Sequence, residues 1–241
     1  MNSSQHNKNS DFTITEMFDR IAFRYDFLNR LLSCQQDKRW RKQMVAWLPQ
    51  REDGALLDVA CGTGDVLLTA IRARKDYSEF VGVDISKNML GLAEKKLLRY
   101  SQSTSIMLKK FSAEKLKFPD EKFDSVTIAF GLRNVVNKEK AIAEFFRVLK
   151  PGASLFILEF FPAPSNLVNL LFKLYFHYIL PFIGGILSDR KAYTYLPKSV
   201  ASFYTLHELQ KRLAQIGFLS GRQKLYLWGS CVLLEVRKPI H

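Results

Sequence analysis

Apolar and polar positions along this chain follow two alternating patterns. Short, mostly apolar runs with the length of buried strands occur at 55–60, 80–85, 106–111, 123–130 and 153–160. Between most of these runs, apolar residues recur every three or four positions, which is the period of an amphipathic helix. Strands that are joined by helices form a mainly parallel sheet with helices on both faces. The pattern therefore predicts an α/β fold.

The two ends of the chain add further predicted elements. Apolar side chains at helical spacing predict helical structure over 11–48, with a separate helix at 37–48. Near the other end, a helix at 205–216 precedes a hairpin with strands at 224–228 and 231–236. An antiparallel hairpin at the edge of a parallel sheet is a common mixed arrangement. The predicted sheet thus has seven strands.

No flexible linker or internal repeat divides the chain. We therefore predict an N-terminal helical extension at 1–50 and one α/β domain at 51–241. An apolar insertion at about 161–204 belongs to this domain in the prediction.

The core of this insertion, 167–187, has the length of a membrane span. Lys173 and His177 lie in its middle, however, and charged residues there are costly. Its polar residues follow helical spacing, which predicts a helix with one polar and one apolar face. Such a helix suits a lid over a lipid tail or a segment at the membrane interface, and a buried packing helix is the alternative.

The strongest local signal follows the first predicted strand. The run 55–60 leads into Gly62-Thr63-Gly64, and a helical stretch comes next. Glycines let a ligand approach the backbone, and a helix start points unpaired N–H groups towards it. These glycines alone are equally compatible with a tight turn that binds nothing.

An acidic residue at a suitable distance favours a nucleotide site. Asp84 lies 20 residues after Gly64, at the end of the second predicted strand, where a carboxylate accepts both hydroxyls of a ribose. The third glycine of a dinucleotide-binding turn, which permits close packing around a pyrophosphate, is replaced by Leu67. A ligand with a ribose and no pyrophosphate fits better, and S-adenosylmethionine is the obvious one. Ser112 and Ala113, just past the third strand, occupy the place where its adenine would lie.

The net charge and the spacing of Cys and His limit which partners and metals are expected. The chain has 36 Lys and Arg against 23 Asp and Glu, a formal net charge of +13. A chain this basic is expected to meet nucleic acid, a phosphorylated substrate or a membrane surface. Three Cys without a CxxC pair and four His without paired spacing predict no metal and a reducing, cytoplasmic setting.

Six longer stretches carry a resemblance to a known family. They are FDRIAFRYDFLNRLLS (18–33), LLDVACGTGD (56–65), GVDISKNML (82–90), FPDEKFDSVTIAFGLRNV (118–135), RVLKPGASLFILEF (147–160) and DRKAYTYLPKSV (189–200). With them the chain resembles the S-adenosylmethionine-dependent C-methyltransferases of menaquinone and ubiquinone biosynthesis. The resemblance implies a Rossmann-like class I methyltransferase fold and methylation of demethylmenaquinol on a ring carbon. It leaves 2-methoxy-6-polyprenyl-1,4-benzoquinol as the alternative acceptor.

The resemblance also implies which residues bind the cosubstrate. Cofactor contacts transfer by position to Thr63, Asp84, Ser112 and Ala113, with Gly62 and Gly64 shaping the turn. Methyltransferases often have Asp or Asn where this chain has Ser112, and Gly or Ala where it has Cys61. A small buried thiol at Cys61 is expected to serve packing alone.

The methyl acceptor would be a ring carbon, which is nucleophilic in a reduced quinol and more so when a hydroxyl loses its proton. Arg133 and Asn134 follow the fourth predicted strand, at the sheet edge where open α/β folds bind ligands. We predict that Arg133 stabilises a developing phenolate and that Asn134 hydrogen-bonds a ring oxygen. In the alternative, Arg133 pairs with an acid and Asn134 caps a turn. The candidate bases are Tyr25, Asp26, His177, Tyr193 and Tyr195.

A prenylated quinol substrate suggests that the protein contacts a membrane. Lys and Arg outnumber Asp and Glu by eight to two over 87–117 and by nine to three over 188–241. Each such cation is worth about 1 kcal/mol close to an anionic leaflet. We predict a cytoplasmic protein with reversible, peripheral contact with the inner face of the membrane.

Three other functions fit parts of the sequence. The charge favours a nucleic-acid methyltransferase, but AFGLRNV stands where such enzymes carry Asn-Pro-Pro-Tyr, and a basic–aromatic platform for stacked bases is missing. A non-catalytic relative would keep the glycine turn and the acid. An NAD-dependent oxidoreductase is disfavoured by the missing third glycine. We therefore expect no nucleic-acid partner.

Overall fold

The computed structural model describes the chain at 16, 33, 35–102, 104–162 and 190–240. Seven strands lie in these ranges: β1 (Gly54–Val59), β2 (Tyr77–Asp84), β3 (Ser105–Lys110), β4 (Phe123–Ala129), β5 (Leu149–Phe160), β6 (Leu219–Tyr226) and β7 (Cys231–Arg237). The same ranges hold six α-helices: α1 (Gln36–Ala46), α2 (Asp65–Ala73), α3 (Lys87–Leu97), α4 (Lys138–Val148), α5 (Arg190–Ala201) and α6 (Leu206–Ile216).

The seven described strands form one sheet in the order β3-β2-β1-β4-β5-β7-β6. Strands β1 to β5 run parallel, and β7 pairs antiparallel with both β5 and β6. The predicted fold, a mainly parallel sheet with an antiparallel edge hairpin, is confirmed. Because the order reverses beside β1, the carboxyl ends of β1 and β4 flank a crevice of the kind that binds ligands.

Strands β5 and β6 differ most from the prediction, because each begins several residues earlier. Strand β5 begins at Leu149, ahead of Pro151-Gly152, because Leu149 pairs with Phe123 before the register shifts. Strand β6 begins at Leu219, and its first seven residues are exposed. An edge strand that is exposed on both faces shows no apolar alternation, so its beginning left no signal in the sequence.

Helix α1 confirms the predicted helix at 37–48. Trp40, Met44 and Val45 bury one face of α1 in a core cluster that also holds residues of α2. A second cluster on the opposite face of the sheet contains buried residues of α4 and α6. The division into 1–50 and 51–241 stays a prediction, because most of 1–34 lies outside the described residues. The apolar stretch 167–187 lies outside them as well.

None of the helices in the described part of the chain is both long and apolar enough to cross a bilayer.

Candidate functional site

The turn after β1 adopts a backbone conformation that few side chains tolerate. Ala60, Gly62 and Gly64 have φ angles of 51°, 54° and 81°. A Cβ on Gly64 would also lie 3.2 Å from the Cβ of Ala93, whereas a Cβ on Gly62 would meet nothing within 4 Å. The turn therefore presents bare backbone to open space at the start of α2, as a nucleotide site requires.

Asp84 closes this turn from the neighbouring strand. Its Oδ2 accepts a hydrogen bond from the Gly62 N–H at 2.9 Å, and its Oδ1 accepts one from the Ser86 N–H at 2.9 Å. A carboxylate at the carboxyl end of the strand beside a glycine turn is the group that accepts ribose hydroxyls in nucleotide sites. The structure thus places the predicted ribose acid directly beside the glycine turn.

Ser112 and Ala113 complete the row along the sheet edge. Strand β3 pairs with β2 so that Lys110 lies opposite Asp84, and Ser112 follows two residues later. The Ser112 Oγ accepts the Glu114 N–H at 3.2 Å, and Ala113 is buried. Thr63 is buried in the glycine turn. All six predicted cofactor residues therefore lie at or just after the carboxyl ends of β1, β2 and β3. Their contacts with a ligand stay a prediction.

Sequence reasoning missed two residues of this site, Arg41 and Asp58. They line a small cavity together with Gly62, Thr63 and Asp65. Asp58 lies in β1 and is 1% exposed. Its Oδ1 accepts the hydroxyl of Thr127 at 2.7 Å, and its Oδ2 has no hydrogen-bond partner in the described structure. Burial raises the pKa of Asp58 to about 7.

Arg41 brings a cation to the same cavity from helix α1. Its side chain is 8% exposed, pairs with Asp37 and has its Nη1 4.0 Å from Asp65 Oδ2. The cavity is thus lined by a buried carboxyl with an unpartnered oxygen and by a guanidinium. These two groups suit a zwitterion, because its ammonium pairs with the carboxyl and its carboxylate pairs with the guanidinium. A nucleoside that carries an amino acid therefore fits the groups present. The signal for Asp58 was visible, since it is the single charge inside the apolar run 55–60.

Arg133 lies in the short 3₁₀ turn Leu132–Asn134 that follows β4. Its Nη1 donates to Glu159 Oε1 at 2.5 Å and to the Phe130 carbonyl at 2.8 Å, and its backbone N–H donates to Glu159 Oε2 at 3.2 Å. The Glu159 side chain is fully buried. The ion pair named as the alternative for Arg133 is therefore present, and a catalytic role stays a prediction.

Asn134 meets a residue of α5. Tyr195 donates its hydroxyl hydrogen to Asn134 Oδ1 at 3.1 Å, and Asn134 Nδ2 lies 3.4 Å from the Phe130 carbonyl. Burial raises the pKa of Tyr195, while the nearby Arg133 lowers it. At neutral pH the Tyr195 phenol therefore keeps its proton and acts as a hydrogen-bond donor. This argues against Tyr195 as the general base.

The turn after β1 and the segment before the Arg133 turn are in contact. A Cβ on Gly131, just before the Arg133 turn, would lie 2.6 Å from the Cβ of Ala60 in the turn after β1. Only a glycine allows this approach without a shift of the backbone. The nucleotide-type site and the Arg133–Asn134–Tyr195 group are therefore neighbours on one edge of the sheet.

Several predicted features stay untested. The candidate bases Tyr25, Asp26 and His177, and the side chain of Tyr193, lie outside the described part of the chain. Within that part, no three His, Cys, Asp or Glu side chains are grouped to hold a metal ion. The prediction that the protein needs no metal stays a prediction. Burial raises the pKa of the Cys61 thiol well above its usual value, which agrees with a packing role.

This chain is similar to known proteins in family, in sequence and in fold. The ubiE/COQ5 methyltransferase family matches residues 4–234. A C-methyltransferase of ubiquinone and menaquinone biosynthesis, UbiE of Geobacter sulfurreducens, is 45% identical over 205 residues, which cover 85% of this chain and 80% of that protein. The demethylmenaquinone methyltransferase of Thermus thermophilus is 42% identical over 224 residues, which cover 92% of this chain and 100% of that protein.

Among solved structures, a SAM-dependent methyltransferase of Thermotoga maritima has the same fold. It superposes with a TM-score of 0.65 at 20% identity and covers 93% of this chain and 99% of its own. A likeness at this identity concerns the fold alone, since one fold supports many chemistries.

Proposed function

The chain belongs to the ubiE/COQ5 methyltransferase family, and we propose that it transfers a methyl group from S-adenosylmethionine to a ring carbon of demethylmenaquinol. The observation that carries this proposal is the contact between two polar sites on one sheet edge, at Gly131 and Ala60. One site suits a nucleoside with an amino-acid tail, and the other suits an oxygen-bearing ring. A methyl transfer needs donor and acceptor held close and aligned, which adjoining sites provide.

The first site holds the cosubstrate, which supplies a methyl group already activated on a positively charged sulfur. Asp84 accepts the ribose hydroxyls, and Ser112 and Ala113 lie against the adenine. Asp58 and Arg41 receive the ammonium and the carboxylate of the methionine end. The cavity that these two side chains share with the glycine turn supports this orientation.

The second site holds the quinol ring. Asn134 and Tyr195 are the polar groups suited to its oxygens. Tyr195 gives its single hydroxyl hydrogen to Asn134 Oδ1 and so orients that amide, and the Asn134 amide nitrogen has a second hydrogen to donate to a ring oxygen. The Arg133 guanidinium offsets the charge of Glu159 next to them, so negative charge developing on the ring oxygen meets a neutral pair rather than a lone carboxylate. Arg133 is thus assigned an electrostatic role and Asn134 a direct one.

Demethylmenaquinol is preferred over the ubiquinone precursor as the acceptor. The relative from Thermus thermophilus, which aligns over its full length, is named for demethylmenaquinone alone. The 2-methoxy-6-polyprenyl-1,4-benzoquinol alternative and the nucleic-acid alternative are not favoured.

The place of action follows from the substrate. A quinol with a prenyl chain partitions into lipid, so we assign the enzyme to the cytoplasm with reversible contact with the inner face of the membrane. The net charge of +13 favours an anionic surface.

The reaction is tested by transfer of labelled methyl from S-adenosylmethionine to demethylmenaquinone, reduced and oxidised in parallel, with RNA and DNA as controls. We expect label in the reduced quinone only, because the ring carbon is nucleophilic only in the quinol. Label in nucleic acid, or none in the quinol, would contradict the proposal.

The role of Asp58 predicts that cosubstrate affinity depends on pH. The ammonium of S-adenosylmethionine favours the ionised carboxylate, and the pKa of Asp58 is raised to about 7. Below pH 7 the carboxyl must lose its proton on binding, so the dissociation constant should rise by up to about tenfold per unit as the pH falls to 5.5. Titration calorimetry at several pH values measures this dependence.

Asp58→Asn is the matched variant, because its Oδ1 still accepts from Thr127. It should bind S-adenosylmethionine more weakly at pH 8 and with little dependence on pH between 5.5 and 7.5.

A raised pKa of Asp58 in the folded state means that stability is lost as pH rises towards 7, because the unfolded carboxyl then ionises more readily than the buried one. The unliganded variant should therefore melt a few degrees higher than the wild type at pH 8. If the affinity of the wild type for S-adenosylmethionine does not change between pH 5.5 and 7.5, Asp58 does not bind the ammonium.

A further inference from the structure

The end of β6 and the turn that leads to β7 expose three large apolar side chains. Leu225, Leu227 and Trp228 are 55%, 40% and 76% exposed. We define them as the apolar tip. Such a cluster on a charged protein commonly marks a surface that meets another molecule.

The backbone of this turn makes the choice of residues unusual. Leu227 and Trp228 both adopt positive φ angles, of 48° and 53°, and Gly229 follows at 92°. Turn positions with positive φ normally carry Gly, Asn or Asp, because a Cβ is unfavourable there. Neither Leu227 nor Trp228 is among the buried core residues, and bulky apolar side chains at strained, exposed positions indicate an external contact.

The apolar tip lies on the same edge of the sheet as the proposed site. Tyr226 pairs with Cys231, which pairs with Phe160 at the carboxyl end of β5. The ring of Trp40 lies 5.5 Å from Tyr226 and 6.3 Å from Phe130, which precedes the Arg133 turn. A row of aromatic rings thus joins the apolar tip to the second site.

Exposed cations lie near the end of β6 and on helix α1, whose Trp40 ring contacts Tyr226 beside the tip. Lys224 donates to Gln43 of α1 at 3.0 Å, and Arg39 lies one helical turn before Gln43 on the same face. Lys38 and Lys42 are also exposed on α1. In the described ranges, no carboxylate is within ion-pair distance of these four cations. Together they are defined as the basic rim.

We propose that the apolar tip and the basic rim dock the enzyme on an anionic phospholipid bilayer, with Trp228 inserted at the headgroup level. This inference rests on the proposed function in that the quinol is carried by lipid. Trp at the interface with Lys and Arg beside it is the composition that such surfaces select. Three exposed apolar side chains fall far short of the roughly 20–30 residues a side of a stable protein interface, which disfavours a second copy of the chain.

The test is sedimentation of the full chain with vesicles of phosphatidylglycerol and phosphatidylcholine, compared with phosphatidylcholine alone. Trp228→Asn removes the ring and places a residue that tolerates positive φ, so it should fold at least as well. We expect the variant to bind the anionic vesicles about tenfold more weakly. Ile240→Asn is the matched control, because Ile240 is 70% exposed but lies near Gly152 at the opposite edge of the sheet, and it should bind as the wild type does. Raised salt should release the wild type.

Two further measurements separate this inference from the proposed function. Trp228→Asn should methylate a short-chain, water-soluble demethylmenaquinol at the wild-type rate. If the wild type has no such activity, the proposed function fails. If it is active and Trp228→Asn still binds anionic vesicles as tightly as the wild type, or if the wild type binds none, the docking surface is wrong. Light scattering that shows a wild-type dimer and a monomeric Trp228→Asn variant would assign the apolar tip to contact with a second copy of the chain. That result would also overturn the membrane-docking proposal.

Discussion

Arg133→Ala is expected to lower methylation of demethylmenaquinol by about 100- to 1,000-fold, the usual effect of removing one group that stabilises developing charge. The dissociation constant for S-adenosylmethionine should change little, because Arg133 lies in the second site. The deletion leaves Glu159, whose side chain is fully buried, without its cation next to the quinol. A lone carboxylate there opposes ionisation of the ring hydroxyl, so residual activity should shift to higher pH. Turnover measured from pH 6 to 10 gives both the loss of rate and the shift of the pH profile.

The same substitution also removes a buried ion pair, which costs about 3–5 kcal/mol when one partner is deleted. The double variant Arg133→Ala with Glu159→Gln separates the two effects. It should recover much of the melting temperature and return the pH profile towards that of the wild type, while the rate stays well below it. Arg147→Ala removes a guanidinium paired with Glu144, and it should lower stability alone. A double variant with full activity would show that Arg133 only holds the fold.

Asp84→Ala is expected to weaken S-adenosylmethionine binding by about a hundredfold. The ribose hydroxyls lose charge-assisted hydrogen bonds of about 1.5–3 kcal/mol each. The N–H groups of Gly62 and Ser86 lose their acceptor as well, so the glycine turn loosens. Equilibrium dialysis with labelled cosubstrate measures the constant.

The control for this loss lies on the same strand. Glu79 pairs with Lys122 at 2.7 Å near the amino end of β2, away from the turn. Glu79→Ala should therefore leave the dissociation constant unchanged. Binding by Asp84→Ala as tight as that of the wild type would remove Asp84 from the ribose site.

The sequence predicted the sheet and the position of the candidate cofactor residues along its edge, because both depend on local patterns. A buried parallel strand is an apolar run whatever its neighbours are, and a turn with positive φ at Gly62 and Gly64 needs glycine wherever it lies. Asp84 ends the strand next to that turn, so its position in the sequence already indicated that it would lie beside the turn, where it bonds the Gly62 N–H. Strand β6 was predicted too short because an exposed edge carries no apolar pattern.

The pairs that govern the chemistry were decided by the tertiary structure. Arg133 meets Glu159 across 26 positions, and Tyr195 meets Asn134 across 61, because the order of strands brings β4 beside β5 and α5 packs near the turn after β4. Asp58 was visible as a charge in an apolar run, but its raised pKa comes from burial under neighbouring elements. Residue type and spacing alone thus determine what a short segment is able to do. Which charges face one another, and how much water reaches them, depends on distant segments that only the folded chain brings together.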